Sequence, residues 1–154
     1  MPENQTVPTP DFLAMVRAAE DRAVHPAVSL AAHTIHNPVE PRHFMSLKNS
    51  PWRVRVKSRG KTLAVTDDAL ICLEVGKEMY LPIYYIPLAD VEATLHPFKR
   101  STHCPLKGDA SYHALSVGED PIAWSYDAPF DYAARLAGRI AFDHRQVSFE
   151  TELA

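Results

Sequence analysis

One short segment of the sequence gathers four kinds of reactive side chain. Residues 102–110 place an imidazole at His103, a thiol at Cys104, an amine at Lys107 and a carboxylate at Asp109. Cations beside a cysteine favour the nucleophilic thiolate, so Cys104 is a candidate nucleophile. An amine near other cations loses its proton more readily, which makes Lys107 a candidate base or phosphate ligand. The structural alternative is a buried, unreactive Cys104 and a solvated Lys107.

Glu74 is a second candidate because its neighbours are apolar. In a strand over residues 69–75, Leu70 and Cys72 share a face with Glu74. A carboxylate on an interior face needs a partner, so Glu74 is either paired with a cation or poised as an acid or base. Lys107 is the cation that the 102–110 segment can bring inward, and we predict that these two form an ion pair. Cys72 is predicted to be core.

Aromatic residues lie on the predicted strands that flank the 102–110 segment. Tyrosine and tryptophan supply apolar walls with one polar group each, so they suit a ligand pocket and serve equally well as ordinary core. The set comprises Tyr80, Tyr84, Tyr85, Tyr112, Trp124 and Tyr126.

Residues 53–61 carry five cations at odd positions, with no acid between Glu40 and Asp67. This pattern indicates either an anion-binding surface or an edge strand that its charges protect from aggregation, and we favour the edge strand. The net charge of −3 disfavours a nucleic-acid partner.

No metal or cofactor motif stands out. His33 and His36 have the spacing of two ligands on a helix, but no third ligand follows at a recognisable interval. Glycine-rich phosphate loops and dinucleotide fingerprints are missing from the sequence. We therefore predict no metal site, and the cofactor stays unknown.

The elements that must position these residues are short strands from Trp52 onward. Alternating apolar residues and a turn at 58–61 predict a hairpin. Residues 98–110 show no periodicity and are predicted to form an irregular, functional loop. Further strands are predicted over 69–75, 79–86, 111–117 and 122–126, helical segments over 90–95 and 130–137, and a closing hairpin from 139–142 and 146–149.

The first fifty residues differ in character because six prolines divide them. Thr9 and Pro10 can start a helix over about residues 10–22, and Pro26 can start another through Ile35. We therefore divide the chain into a helical, proline-rich arm (1–51), a β domain (52–150) and a tail (151–154). A truncated chain that begins near Lys48 is expected to fold.

The composition fits one soluble domain of about 150 residues. The sequence of 154 residues lacks an apolar run of the roughly 18 residues that span a membrane, and it lacks an export signal. We expect a cytoplasmic protein with no membrane contact, in which Cys72 and Cys104 are reduced.

Several motifs, in order and spacing, resemble the domain of unknown function 427, a family also catalogued as nucleotidyltransferase-like type 9. The resemblance covers about Trp52 to Glu150. It is carried by Leu73-Glu74, Tyr85-x-Pro87 with Asp90-Val91, Thr102-x-Cys104-Pro105-x-Lys107-Gly108, Ala123-Trp124-x-Tyr126 and Ala141-Phe142. The sequence departs from the family pattern at Leu106, where an aromatic residue is usual.

The resemblance implies a mainly β (α+β) domain of the β-tent type, in which two small antiparallel sheets open around a pocket. Nucleotidyl transfer is implied only by the family label. Carried over position by position, the family pattern marks Glu74, Tyr85, Asp90, Cys104, Lys107, Tyr112, Trp124 and Tyr126.

Our leading hypothesis is a domain that binds a small polar or anionic metabolite in an aromatic-lined pocket. Cys104, Lys107 and Glu74 are its candidate catalytic groups. The predicted ligand contacts are His103, Tyr85, Asp90, Tyr112, Trp124 and Tyr126. The alternative is a non-catalytic binding or regulatory module, followed by a scaffold that forms homodimers through the N-terminal arm.

Overall fold

The computed structural model describes residues 32–154, and this part of the chain is mainly β, as predicted. The strands are Ile35–His36 (β1), Phe44–Asn49 (β2), Trp52–Ser58 (β3), Lys61–Thr66 (β4), Leu70–Val75 (β5), Ile83–Pro87 (β6), His96–Cys104 (β7), Gly108–Ala114 (β8), Ala123–Ser125 (β9), Arg139–Phe142 (β10) and Ser148–Leu153 (β11). Two short 3₁₀ helices span Leu88–Asp90 and Asp131–Leu136. Neither helix has the length or apolar character needed to cross a membrane.

The strands form two antiparallel sheets. The larger has eight strands in the order β1-β2-β5-β6-β10-β9-β8-β7, and the smaller has the order β11-β3-β4. Strand β10 pairs with both β6 and β9, and it therefore joins strands β1, β2, β5 and β6 to strands β9, β8 and β7. The resemblance implies two small sheets, whereas one of the two sheets in the structure has eight strands.

Each face of the larger sheet carries its own hydrophobic core, because successive side chains on a strand point to opposite faces. Tyr85 and Ala141 face a first core, which the β7–β8 turn and the second 3₁₀ helix also enter. Ile86 and Ile140 face a second core against the smaller sheet. The first core includes Met45, Leu70, Cys72, Tyr85, Leu106, Tyr126 and Leu136, and the second includes Val54, Val56, Leu63, Ile86, Ile140 and Phe142.

The predicted β3–β4 hairpin is confirmed, but the prediction that its cations mark an edge strand is wrong. Strand β3 is the central strand of the smaller sheet. Its cations pair with acids on both sides: Arg53 binds Asp67, which follows β4, at 2.7 Å, and Lys57 binds Glu150 of β11 at 3.0 Å. The charge pattern therefore serves cross-strand pairing.

The prediction of an irregular loop over residues 98–110 is also wrong. Strands β7 and β8 pair from His96↔Ala114 to Cys104↔Gly108, with a bulge between Phe98 and Ser101. Strand β7 is the edge of the larger sheet and is exposed on both faces over most of its length. Since neither face of β7 must be apolar throughout, its sequence lacks the alternation that reveals a half-buried strand.

The β domain begins before Trp52. Strand β2 pairs with β5 along its whole length, from Phe44↔Val75 to Asn49↔Leu70. Residues 44–49 therefore belong to the larger sheet and not to a helical arm. The second predicted helix is wrong at its end, because Ile35 lies in β1. The predicted helix over residues 10–22 lies outside the described residues.

The histidine pair at 33 and 36 is not on a helix. His33 lies in a turn with a φ of 63°, and His36 lies in β1.

The predicted closing hairpin does not form. Strand β10 belongs to the larger sheet, whereas β11 pairs with β3 in the smaller one. In this register Glu150 and Glu152 lie opposite Arg55 and Arg53, so unlike charges face each other. Strand β11 runs to Leu153, so most of the predicted tail is part of a sheet.

Candidate functional site

The turn between β7 and β8 carries Lys107 into the first core. The Lys107 backbone N–H donates to the Cys104 carbonyl at 3.2 Å, and the Phe130 N–H donates to the Lys107 carbonyl at 3.1 Å. Lys107 is only 4 % exposed. Gly108 follows with a φ of +107°, and a Cβ there would lie 3.4 Å from the Ala128 carbonyl oxygen. A glycine is therefore required where the chain leaves the turn.

Lys107 Nζ donates a hydrogen bond to Glu74 Oε2, so the predicted ion pair is confirmed. Burial favours the neutral form of Glu74, but the Lys107 ammonium and a hydrogen bond from His43 outweigh it and hold the Glu74 pKa below its usual value. Burial alone would lower the Lys107 pKa, but the charge that Cys72, Glu74 and Cys104 can carry raises it above its usual value. The raised pKa favours the charged ammonium at neutral pH, whereas a role as a base needs the neutral amine.

His43 completes a charge cluster of His43, Glu74 and Lys107. Its Nε2 lies 2.9 Å from Glu74 Oε1, and its side chain is 19 % exposed. His43 is absent from the predicted site residues because residues 1–51 were predicted to form an arm. One signal in the sequence does point to His43. Met45 and Leu47 alternate with polar residues, which predicts a strand, and His43 lies two residues before Met45 and so on the same face.

The two thiols differ in their surroundings. Cys72 is buried, with its Sγ 3.9 Å from the Met45 sulfur, and burial raises the pKa of its thiol to about 12. Its predicted role as a core residue agrees with this environment. Cys104 is partly exposed at the end of β7 and packs against the first core.

Four predicted aromatic contacts lie on the face of the charge cluster. Tyr85 and Tyr126 are buried, and burial raises the pKa of both phenols. Tyr112 and Trp124 are partly exposed and pack against the first core. Tyr84 points to the other face, where its ring lies 5.3 Å from that of Phe149.

Two predicted ligand contacts lie away from the charge cluster. Asp90 Oδ2 accepts a 2.6 Å hydrogen bond from Thr66, which ties the first 3₁₀ helix to the smaller sheet. His103 alternates with Cys104 along β7 and therefore points to the opposite face, where its Nδ1 lies 2.7 Å from Asp109.

A polar network on the second face joins β8 and β9. Ser125 is buried and donates to Asp127 at 2.8 Å, so its oxygen accepts from His113 Nε2 at 2.9 Å. Hydrogen bonds from Ser111 and Ser125 hold the Asp127 pKa below its usual value. The Ser125 hydroxyl donates its proton to Asp127 and not to His113. The network therefore serves to stabilise the pairing of β8 with β9.

An open cleft of about 340 Å³ lies away from the charge cluster, between the β3–β4 turn and the β8–β9 loop. Arg59, Glu119, Asp120 and Gln146 line it, and no residue predicted for the site does. Among residues 32–154, no three His, Cys, Asp or Glu side chains are grouped to hold a metal ion.

The comparison with known families agrees with the resemblance in the sequence. Residues 46–152 match the model of a family described as a domain of unknown function (DUF427). The match begins within β2 and so includes residues 46–49, which were predicted to belong to the arm. No curated protein matches the chain.

Proposed function

The chain belongs to the DUF427 family, and we propose that it binds a small polar or anionic metabolite at the charge cluster. The observation that carries this proposal is the hydrogen bonding of the Lys107 ammonium. An ammonium group has three N–H donors. Within the described range, Glu74 Oε2 is the acceptor found for Lys107 Nζ. Two charged donors in a largely buried position therefore stay available for the oxygen atoms of a ligand.

The proposed ligand contacts the aromatic side chains that share this face. Tyr112 and Trp124 are partly exposed and so offer ring surface to a ligand, whereas the buried Tyr85 and Tyr126 support them. The proposal includes the β-tent arrangement, with its pocket on the first-core face. A cytoplasmic location and dimerisation through the N-terminal arm stay predictions.

The proposal is tested by releasing small molecules from the purified full chain and identifying them by mass spectrometry. The double variant Glu74→Gln with Lys107→Met removes both charges together and so avoids an isolated buried charge. We expect the natural chain to retain a polar or anionic compound that the double variant loses. The matched control is Arg53→Gln with Asp67→Asn, which removes an exposed ion pair of the smaller sheet. Equal retention by all three proteins would overturn the proposal.

An enzyme that uses Cys104 as its nucleophile is the second candidate function. The partial exposure of this thiol and its position three residues before Lys107 favour it. In this case Lys107 and Glu74 bind and orient the substrate. The test uses the metabolite identified by mass spectrometry. The Cys104→Ser variant should still bind this metabolite but no longer convert it. Conversion of the metabolite by Cys104→Ser would exclude Cys104 as the nucleophile.

A further inference from the structure

Arg100 differs from the other arginines in the described part of the chain. Each of the others has a carboxylate, carbonyl or amide oxygen within bonding reach. Arg100 lies in the β7 bulge, with its guanidinium carbon 4.6 Å from the centre of the Tyr112 ring, and no such acceptor is found for it among residues 32–154. Stacking on an aromatic face fixes the plane of the guanidinium and leaves its N–H donors at the edge.

Two hydroxyl groups lie on the same side of the β7–β8 hairpin. Thr102 Oγ1 and the Tyr112 hydroxyl are 2.9 Å apart, and either one donates to the other. Thr102 and Tyr112 lie on the first-core face of the hairpin, because they pair with Ala110 and Phe98. The hairpin therefore presents a stacked cation and a hydroxyl pair on the face that carries Cys104 and the charge cluster.

We propose that Arg100, with the hydroxyls of Thr102 and Tyr112, binds the oxyanion group of the metabolite, a phosphate or a carboxylate. Guanidinium N–H pairs match the geometry of both groups, and the hydroxyl pair supplies one further donor, since its other proton lies in the bond between Thr102 and Tyr112. The inference rests on the proposed function, since the rest of the same ligand would reach the donors of Lys107. The ligand class is thus a metabolite with an oxyanion at one end and a polar group at the other.

The test is a titration of the full chain with inorganic phosphate, and separately with acetate, at constant ionic strength. Binding is followed by the NMR signals of the Arg100 side chain and the Tyr112 ring. We expect saturable binding of at least one anion, weakened about tenfold or more in Arg100→Gln, as the loss of a charge-assisted contact implies. The matched control is Lys99→Gln, which removes the neighbouring cation of the bulge and should change the Kd less than about twofold.

The charge-cluster double variant, Glu74→Gln with Lys107→Met, separates this inference from the proposed function. It should bind the anion as the natural chain does, because Arg100 and the two hydroxyls are intact. Anion binding that depends on Lys107 and not on Arg100 would overturn the inference and leave the proposed function standing. Anion binding that depends on Arg100, together with metabolite retention by the double variant, would overturn only the proposed function. An absence of saturable binding, or equal losses in Lys99→Gln and Arg100→Gln, would also refute the inference.

Discussion

A carboxylate and an ammonium that share a core depend on each other, because either charge left alone has lost its hydration without compensation. Glu74→Gln and Lys107→Met should therefore each lower the free energy of unfolding by about 3–5 kcal/mol. The double variant should recover part of this loss. Urea unfolding of the four proteins gives the coupling energy directly.

The exposed pair of Arg53 and Asp67 provides the control for this cycle. Its double-mutant cycle should give a much smaller coupling energy, since both groups are solvated. Additive effects of Glu74→Gln and Lys107→Met would contradict the pairing.

The same ion pair predicts how stability depends on pH. The Glu74 pKa is below its usual value of 4.5, so its contribution is complete above that pH and is lost as the pH falls through the folded pKa. The Lys107 pKa is above its usual value of 10.5, so its contribution is lost as the pH rises through that raised pKa. The stability difference between the natural chain and the double variant should thus shrink at both extremes of pH. A difference that stays constant in acid would argue against an ionised Glu74.

The thiols should react at different rates. Cys72 is buried and its thiol has a pKa of about 12, so we expect iodoacetamide at neutral pH to modify the partly exposed Cys104 first. Mass spectrometry of the intact protein should show one alkyl group before unfolding and two after it. Cys104→Ser should show almost no modification while folded. Equal rates at the two cysteines would count against a special role for Cys104.

At the scale of elements, the β7–β8 turn is the part that brings Lys107 to Glu74. Gly108→Ala places a Cβ on a residue with a φ of +107°, 3.4 Å from the Ala128 carbonyl oxygen, and the backbone strain should cost about 1–3 kcal/mol. Gly118→Ala is the matched control, because Gly118 also has a positive φ but open space around it.

If the turn positions the site, Gly108→Ala should also weaken metabolite retention, whereas Gly118→Ala should leave it unchanged. Urea unfolding measures the first effect and mass spectrometry the second. If both variants lost the same stability and retained the metabolite as the natural chain does, Gly108 would matter only for backbone strain and not for positioning the site.

At the scale of the whole molecule, β2 decides where the domain can be cut. A chain that starts at His33 keeps every described strand, and we expect it to unfold cooperatively in urea. A chain that starts at Lys48 loses most of β2, together with His43, and leaves Cys72 and Glu74 of β5 without the β2 residues that pair with them. It should be much less stable, contrary to the expectation from the sequence. Equal stability of the two truncated chains would show that β2 is dispensable.

The local part of this structure could be predicted because it depends on short-range rules. Alternation within residues 70–75 places Glu74 and Cys72 on one face, and the cost of burying a lone carboxylate requires a cation such as Lys107. The turn at 58–61 likewise predicts a hairpin from adjacent residues. The β7–β8 hairpin escaped this reasoning because an exposed edge strand has no alternation to show.

The composition of the site, in contrast, depends on which strands become neighbours. Strand β2 brings His43 to Glu74 only because it pairs with β5, and β10 pairs with β6 and β9 instead of with β11. Asp90 and His103 were predicted to lie with the other site residues, but both lie away from the charge cluster. Asp90 is in the first 3₁₀ helix, and the His103 side chain points to the other face of β7. Local propensity specifies a strand and its two faces, whereas the partner and register of that strand depend on packing between residues far apart in the chain. The buried charges could thus be predicted from residue chemistry, but their neighbours were decided by tertiary pairing.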